Sequence, residues 1–398
     1  MNVLCKVKYY ILHHKPLNNK NITLYIFISI EMLGQSHIEE FIENVRNNGM
    51  KSQQSHICDF IKWLAGDRFF YSDKGSKKIL HCFTGTYWCN DDVYLRKFIS
   101  NDLYDYIDNL LSNIHYNMRD IHTVKLQLKK LHDIRYKQSI IGTYKETNIN
   151  NNIEFDNKWY LFGFNNKVYD LEEECFRDYQ LSDYVSITTG YDWIEPTDEE
   201  VATVNKFIEQ VMPIEDERKL YLQTLCTALE GRTLDRYVIF NGNDSYGKEM
   251  VNNLLLNAFG NYGLMAKNSL LYKEYKSESN PDIIGLHKKR LVIYREPPSR
   301  KKLNNSIMKK FITDEVYHGT MIIECNDKPR FVERNDDMID VIFRAKSTDN
   351  ETLVDESNYI YKEKYRFIEF QKKYKCALLK ILFDEHKKYK ENNYKLLF

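Results

Sequence analysis

Apolar positions along the chain change period several times, and each change marks an element. From His37 to Leu64, Ile38, Phe41, Ile42 and Val45, then Ile57, Phe60, Ile61 and Leu64, recur at helical spacing. Gly66 stands where a C′ residue would close the second helix. Phe69 to Trp88 alternates and is rich in aromatics, which predicts short strands. Residues 93–132 read as two amphipathic helices, and Asn148–Asn152 as a polar loop. Strand-like segments follow at Lys158–Phe164 and Lys167–Leu171. Asp198–Glu230 returns to helix and stops at Gly231.

Residues 235–350 have a different character. Short apolar runs at Arg236–Asn241, Arg290–Tyr294 and Met321–Cys325 are separated by helical stretches such as Glu249–Phe259. Strands alternating with helices predict parallel pairing in a sheet covered on both faces. Residues 362–398 read as lysine-rich amphipathic helix, and residues 1–40 show no clear period. Ile22–Leu33 is apolar but about a dozen residues long, short of the roughly 20 a membrane span needs. No membrane association is expected, and the expected location is the cytosol or the nucleus.

Composition narrows the picture. The 398 residues suffice for two or three domains, and 15 Gly and 7 Pro favour long elements over linkers. Net charge is zero, so any nucleic-acid contact must come from a local patch rather than an overall basic surface. The 8 cysteines are scattered with no C-x2-C pair, which argues against a zinc ribbon and a disulfide scaffold and for reduced thiols.

Candidate chemistry clusters after the first apolar run. Gly242, Asn243, Asp244, Ser245, Tyr246, Gly247, Lys248 and Glu249 fit G-x4-G-K, the core of a phosphate-binding Walker A loop, without the closing Ser or Thr. Such a loop cradles phosphates with backbone amides at a helix N-terminus, and Lys248 would reach the β- and γ-phosphates. Glu249 replaces the hydroxyl that binds Mg²⁺. Two like charges about 4 Å apart cost roughly 4 kcal/mol at an effective dielectric near 20, so Glu249 is expected either to repel a nucleotide or to serve as a metal ligand. The run Leu291–Glu296 has the form of a Walker B strand, with Glu296 placed to orient water or simply solvated. Asn326, after the third run, would sense a γ-phosphate or form a turn. Residues 288–310 hold nine basic residues and one acid, Glu296. Within that stretch Arg300, Lys301, Lys302, Lys309 and Lys310 are candidates for phosphate contacts to DNA, against a bland reading as a solvated face.

The order of these motifs resembles that of the poxvirus-type primase-helicases of large DNA viruses, superfamily 3 AAA+ proteins. Leu286–Arg290 with Leu291–Pro297, and Asn261-Tyr262 with Ser269-Leu270-Leu271, resemble segments of that motor. Trp88, Glu154-Phe155-Asp156, Leu161–Asn166, Val168–Leu171, Asp183-Tyr184 and Thr188–Tyr191 resemble its associated upstream domain. Together these cover roughly residues 55–385. The resemblance implies an α/β fold: an AAA+ P-loop motor with a parallel sheet, preceded by an α+β helicase-associated domain. The expected division is a leader over 1–40, the associated domain over 41–195, the ATPase over 196–350 and a C-terminal helical segment over 351–398. It implies ATP and Mg²⁺ as cofactors, single-stranded or forked DNA and other replication proteins as partners, and a homo-hexamer or mixed ring.

Departures from the family pattern are specific. Position 298 is Pro298 where a second acid is expected, Lys310–Met321 is about a dozen residues short of a DNA-contacting hairpin, and only Arg334 and Arg344 stand near the place of the trans-acting arginine fingers. No D-x-D after a strand suggests a primase. The expectation is therefore an ATP-dependent DNA helicase of superfamily 3 with impaired hydrolysis, or alternatively an inactive paralogue that binds nucleic acid or scaffolds an active ring.

Overall fold

The computed structural model describes residues 40–396 apart from 46, 48–52, 76, 114–117, 233–235, 242–247, 273–280, 299, 305, 310–318, 327–328, 333–337 and 343–363. The leader over 1–40 therefore falls almost wholly outside the described residues. The chain divides into two compact units, Met1–Ile153 and Glu154–Phe398.

In the first unit, helix α1 (Gln54–Ala65) buries Ile57, Cys58, Phe60, Ile61 and Ala65, the face its spacing predicts. Gly66 ends it at φ +59, with its N–H on Lys62 O, a left-handed position that glycine takes without steric cost. Strands β1 (Phe69–Asp73), β2 (Lys78–Phe83) and β3 (Trp88–Cys89) form an antiparallel meander in that order. Among the described residues, 93–132 hold three α-helices rather than two: α2 (Val93–Ser100), α3 (Asp102–Asn113) and α4 (Met118–Leu128). A further helix, α5 (Ile134–Thr147), is capped by the Asp133 carboxylate accepting from Tyr136 N at 2.8 Å. Buried Tyr144 donates its hydroxyl to Phe69 O at 2.8 Å and so ties α5 to the meander.

The second unit begins earlier than the boundary expected after residue 195. Short antiparallel strands β4 (Leu161–Gly163), β5 (Val168–Asp170) and β6 (Cys175–Arg177) form its opening sheet. Phe162, Phe164, Tyr169 and Trp193 join the same core cluster as the later helices and strands. The predicted single helix Asp198–Glu230 is two, α6 (Asp198–Val211) and α7 (Glu215–Cys226), parted by Pro213. A capping box of Thr197 and Glu200 starts α6.

The main sheet contains β7 (Tyr237–Asn241), β8 (Gly263–Ala266), β9 (Leu291–Arg295), β10 (Thr320–Cys325) and β11 (Met338–Ile342), all parallel, in the order β11-β7-β10-β9-β8. Every residue of β10 is buried, as a central parallel strand requires. Helix α8 (Lys248–Phe259) follows β7, and the long helix α9 (Lys364–Glu391) fills the same core. Its Phe383 lies 3.9 Å from the Tyr169 ring centroid and in edge contact with Phe162 and Phe164. The result is a mixed α/β protein with a five-stranded parallel sheet. Among the described residues no helix is long and apolar enough to cross a membrane.

Two buried polar arrangements hold the second unit together. The Tyr262 hydroxyl donates to Ile187 O at 2.5 Å and accepts from Gly163 N at 3.1 Å, which fastens the opening sheet to the segment before β8. Glu230, 4% exposed, accepts from Arg232 Nε at 2.6 Å and lies 2.9 Å from Nε2 of His386 on α9, itself 1% exposed. Arg232 in turn covers the Trp159 ring at 3.7 Å. Burial works to raise the Glu230 carboxyl, but the bonds from His386 and Arg232 outweigh it and hold the group below its ordinary value.

Candidate functional site

The carboxyl ends of β7, β9, β10 and β11 lie side by side. Asn241 pairs with both Cys325 and Ile342, and Glu324 pairs with Arg295. From β7 the chain crosses to β8 at the far edge, returns through β9 to β10, and only later reaches β11 on the other side of β7. A parallel sheet whose connections diverge in this way leaves a crevice outside its carboxyl ends, where ligands bind. Lys248 opens α8 at that crevice, so amides without an intrahelical partner and the positive end of the helix macrodipole lie there. The loop Gly242–Gly247 lies outside the described residues, as does the side chain of Lys248.

Glu296 and Asn326 both follow directly on strands that end at this edge. Glu296 is exposed, has a left-handed φ of +46, and donates its N–H to Glu324 O at 2.9 Å. Asn326 is half-buried beyond Cys325. The turn after β9 is clamped by Asn268, whose Nδ2 donates to Arg295 O at 2.7 Å and to Glu296 O at 3.2 Å.

Between these ends runs a charged network that local spacing does not reveal. Arg295, the last residue of β9, places Nη2 2.7 Å from Glu249 Oε2 and Nε 3.8 Å from Glu324 Oε2. Glu324 is 1% exposed and accepts from Asn252 Nδ2 at 2.6 Å. Asn252 and Glu249 are three residues apart on α8 and thus share a face. The Oδ1 of Asn252 is buried with no hydrogen-bond donor among the described residues. Burial opposes the charge on Arg295, yet the Glu249 bond and the carboxylates of Glu324, Glu249 and Glu296 more than offset it and hold the guanidinium above its ordinary value.

This pairing changes both expectations for Glu249. Its carboxylate is not an uncompensated charge facing a phosphate, because Arg295 stands 2.7 Å away. While that pair holds, the carboxylate is also not open to a metal. A divalent cation on Glu249 would sit about 4 Å from the guanidinium, a repulsion of roughly 8 kcal/mol at an effective dielectric near 20. Among the described residues, the guanidinium beside Glu249 does not fit the Mg²⁺ that the Walker A resemblance implies. Glu324 was hidden inside an apolar run; a carboxylate at such a position is the signal that would have exposed the network.

The basic stretch is likewise divided. Lys288 donates to Asp156 O at 3.3 Å and Lys289 to Asn261 O at 2.5 Å. Arg290 is 6% exposed, donates to Leu229 O and to Leu161 O, and covers the Tyr262 ring at 4.6 Å. With Arg295 paired to Glu249, these four are engaged within the fold. Arg300, Lys301, Lys302 and Lys309 are exposed, and Lys301 lies 5.4 Å from the Tyr272 ring centroid. Lys310, most of the Lys310–Met321 segment expected to be short of a DNA-contacting hairpin, Arg334 and Arg344 lie outside the described residues.

Comparison with known proteins adds context to this geometry. Residues 57–213 match the family model described as D5 N terminal like. A provisionally named helicase of Acanthamoeba polyphaga mimivirus is 29% identical over 189 residues, 46% of this chain and 18% of that protein. Primase D5 of Fowlpox virus is 27% identical over 274 residues, 59% of this chain and 34% of that protein. The Uncoating factor OPG117 of Vaccinia virus is 28% identical over 197 residues, 42% of this chain and 25% of that protein. The chain thus spans about a third or less of the length of each of these three relatives. Among solved structures, the apo NrS-1 C terminal region has a TM-score of 0.43 at 12% identity, covering 84% of this chain and 74% of that one.

Proposed function

We propose a function from one premise: the chain is a poxvirus-type D5 primase-helicase family protein. On that premise it is a viral DNA-replication protein of helicase type. Its second unit is an AAA+ P-loop domain of superfamily 3 that takes ATP at the carboxyl edge of the parallel sheet and hydrolyses it poorly. The observation that carries the reading is the Arg295–Glu249 pair, 2.7 Å apart where a motor would hold its magnesium. Lys248 at the start of α8 would hold phosphate, Glu296 would orient water, and Asn326 would sense the γ-phosphate. Arg334 or Arg344 would be the arginine finger of a neighbouring subunit in a homo-hexamer or mixed ring. Single-stranded or forked DNA would meet Arg300, Lys301, Lys302, Lys309 and Lys310.

A site that holds no cation there would leave the transition-state charge of phosphoryl transfer short of a main stabiliser. The same feature supports the second reading, an inactive paralogue that scaffolds an active ring. An ATPase assay of the purified chain, with and without single-stranded DNA, separates the two. Slow, DNA-stimulated turnover supports an impaired motor, and no turnover with retained DNA binding supports the scaffold. Turnover of several per second, abolished by Glu296→Gln, would overturn both.

A further inference from the structure

The disagreement between the charged network and a magnesium site points to a different way of holding phosphate. We propose that this crevice binds a nucleoside triphosphate without a divalent cation, the Arg295 guanidinium taking the place of the metal. The proposal rests on the reading of the crevice as a nucleotide site.

Three observations carry it. Arg295 ends β9 at the same level as the strand that feeds the phosphate loop, since Glu324 pairs with Arg295 on one side and with Phe240 on the other. Its side chain is 35% exposed, so it is not sealed away from an incoming ligand. Its position is fixed from behind: Glu324 is buried, anchored by Asn252 of α8, and lies 3.8 Å from Nε.

Glu249 differs from Glu324 in being 58% exposed. An exposed ion pair contributes little and exchanges readily. An arriving phosphate can therefore displace Glu249 from Arg295, while Glu324 keeps the guanidinium in place. The planar fork then offers paired N–H donors to phosphate oxygens, for which guanidinium geometry is better suited than an ammonium. Arginine also remains charged throughout the physiological range, so the site needs no proton or metal to be ready. In this arrangement Glu249 acts as a placeholder that keeps Arg295 satisfied until the ligand arrives.

The test is binding of a fluorescent ATP analogue to the full chain, by anisotropy, in excess EDTA and in excess magnesium. The expected dissociation constants agree within about threefold, where a metal-bridged site would lose roughly tenfold or more in EDTA. Glu249→Gln, which removes one charge with little change of shape, should tighten binding in EDTA. The double variant Glu249→Ser with Arg295→Asp installs the oxygen donors that magnesium prefers, and its binding should require the metal. Wild-type binding that depends on magnesium overturns the proposal and leaves the nucleotide reading intact. No binding in either buffer overturns the nucleotide reading itself, and this proposal with it.

Discussion

Glu230→Gln should loosen the last helix of the second unit, and by an amount the geometry sets. In the wild type the carboxylate accepts from Arg232 at 2.6 Å and faces His386 at 2.9 Å, with His386 1% exposed. Hydrogen bonds to a charged group contribute about 1.5–3 kcal/mol each, against about 1 for neutral ones. Gln keeps one carbonyl acceptor but sets its amide N–H₂ toward a donor. Arg232 is 44% exposed and regains water, so its share is discounted. The net loss is about 2–3 kcal/mol, which corresponds to roughly 30-fold to 150-fold faster hydrogen exchange of α9 amides if they open locally. Peptide-resolved exchange over 376–391 measures this directly and without assuming that the two units unfold together. The effect also carries a pH signature. Glu230 is held below its ordinary value of 4.5, so its contribution is complete above that pH and is lost as pH falls through the lowered value. The difference between wild type and variant should therefore shrink in acid. Acceleration under threefold at neutral pH, or a difference that grows in acid, would refute the reasoning.

Three further outcomes are expected. ATP turnover should lie about 10³-fold or more below that of an intact motor, as a steady-state phosphate-release assay would show. Single-strand affinity measured by anisotropy across a salt series should fall steeply. Replacing Lys301 and Lys302 by Ala should flatten the slope by about 1.4 log units, 0.7 for each phosphate no longer neutralised, whereas an unchanged slope would put both lysines away from the nucleic acid. Gly260→Ala should destabilise the second unit by more than about 3 kcal/mol in urea titration. Its Cβ would stand 1.8 Å from Thr189 O at a φ of +53, a backbone clash that no rotamer relieves.

What was legible in the sequence followed periodicity. Val238–Phe240, Leu291–Tyr294 and Met321–Ile323 are continuous apolar runs because they are buried on both faces, and all three lie in strands of the parallel sheet. Gly66 was readable because its left-handed φ constrains the residue type. The short strands β6 and β8 were not, since three or four residues carry no period, and neither was α5, whose apolar face is weak. The break at Asn101 between α2 and α3 is also missed by spacing, because helical periodicity runs on across it. The site was half legible. Local spacing marks Lys248, Glu296 and Asn326, but the Arg295 pairing joins residues 46 positions apart and exists only once β9 lies beside β10 and α8. Arg295 looked like one more member of a basic run, and only the sheet register separates it from Arg300, Lys301 and Lys302. His386 and Glu230 are 156 residues apart, beyond any local pattern.

The packing of α9 into the second unit has a consequence for how the chain is made. Phe162, Phe164, Tyr169 and Trp193 emerge from the ribosome about two hundred residues before Phe383, the ring around which they gather. At synthesis rates of roughly 5–20 residues per second, those aromatic faces wait on the order of ten seconds or more without their partner. During that interval the nascent sheet is a sticky intermediate, and closure is a late, long-range event rather than a local one. Premature termination before Lys364 would therefore yield a client for chaperones instead of a smaller folded protein.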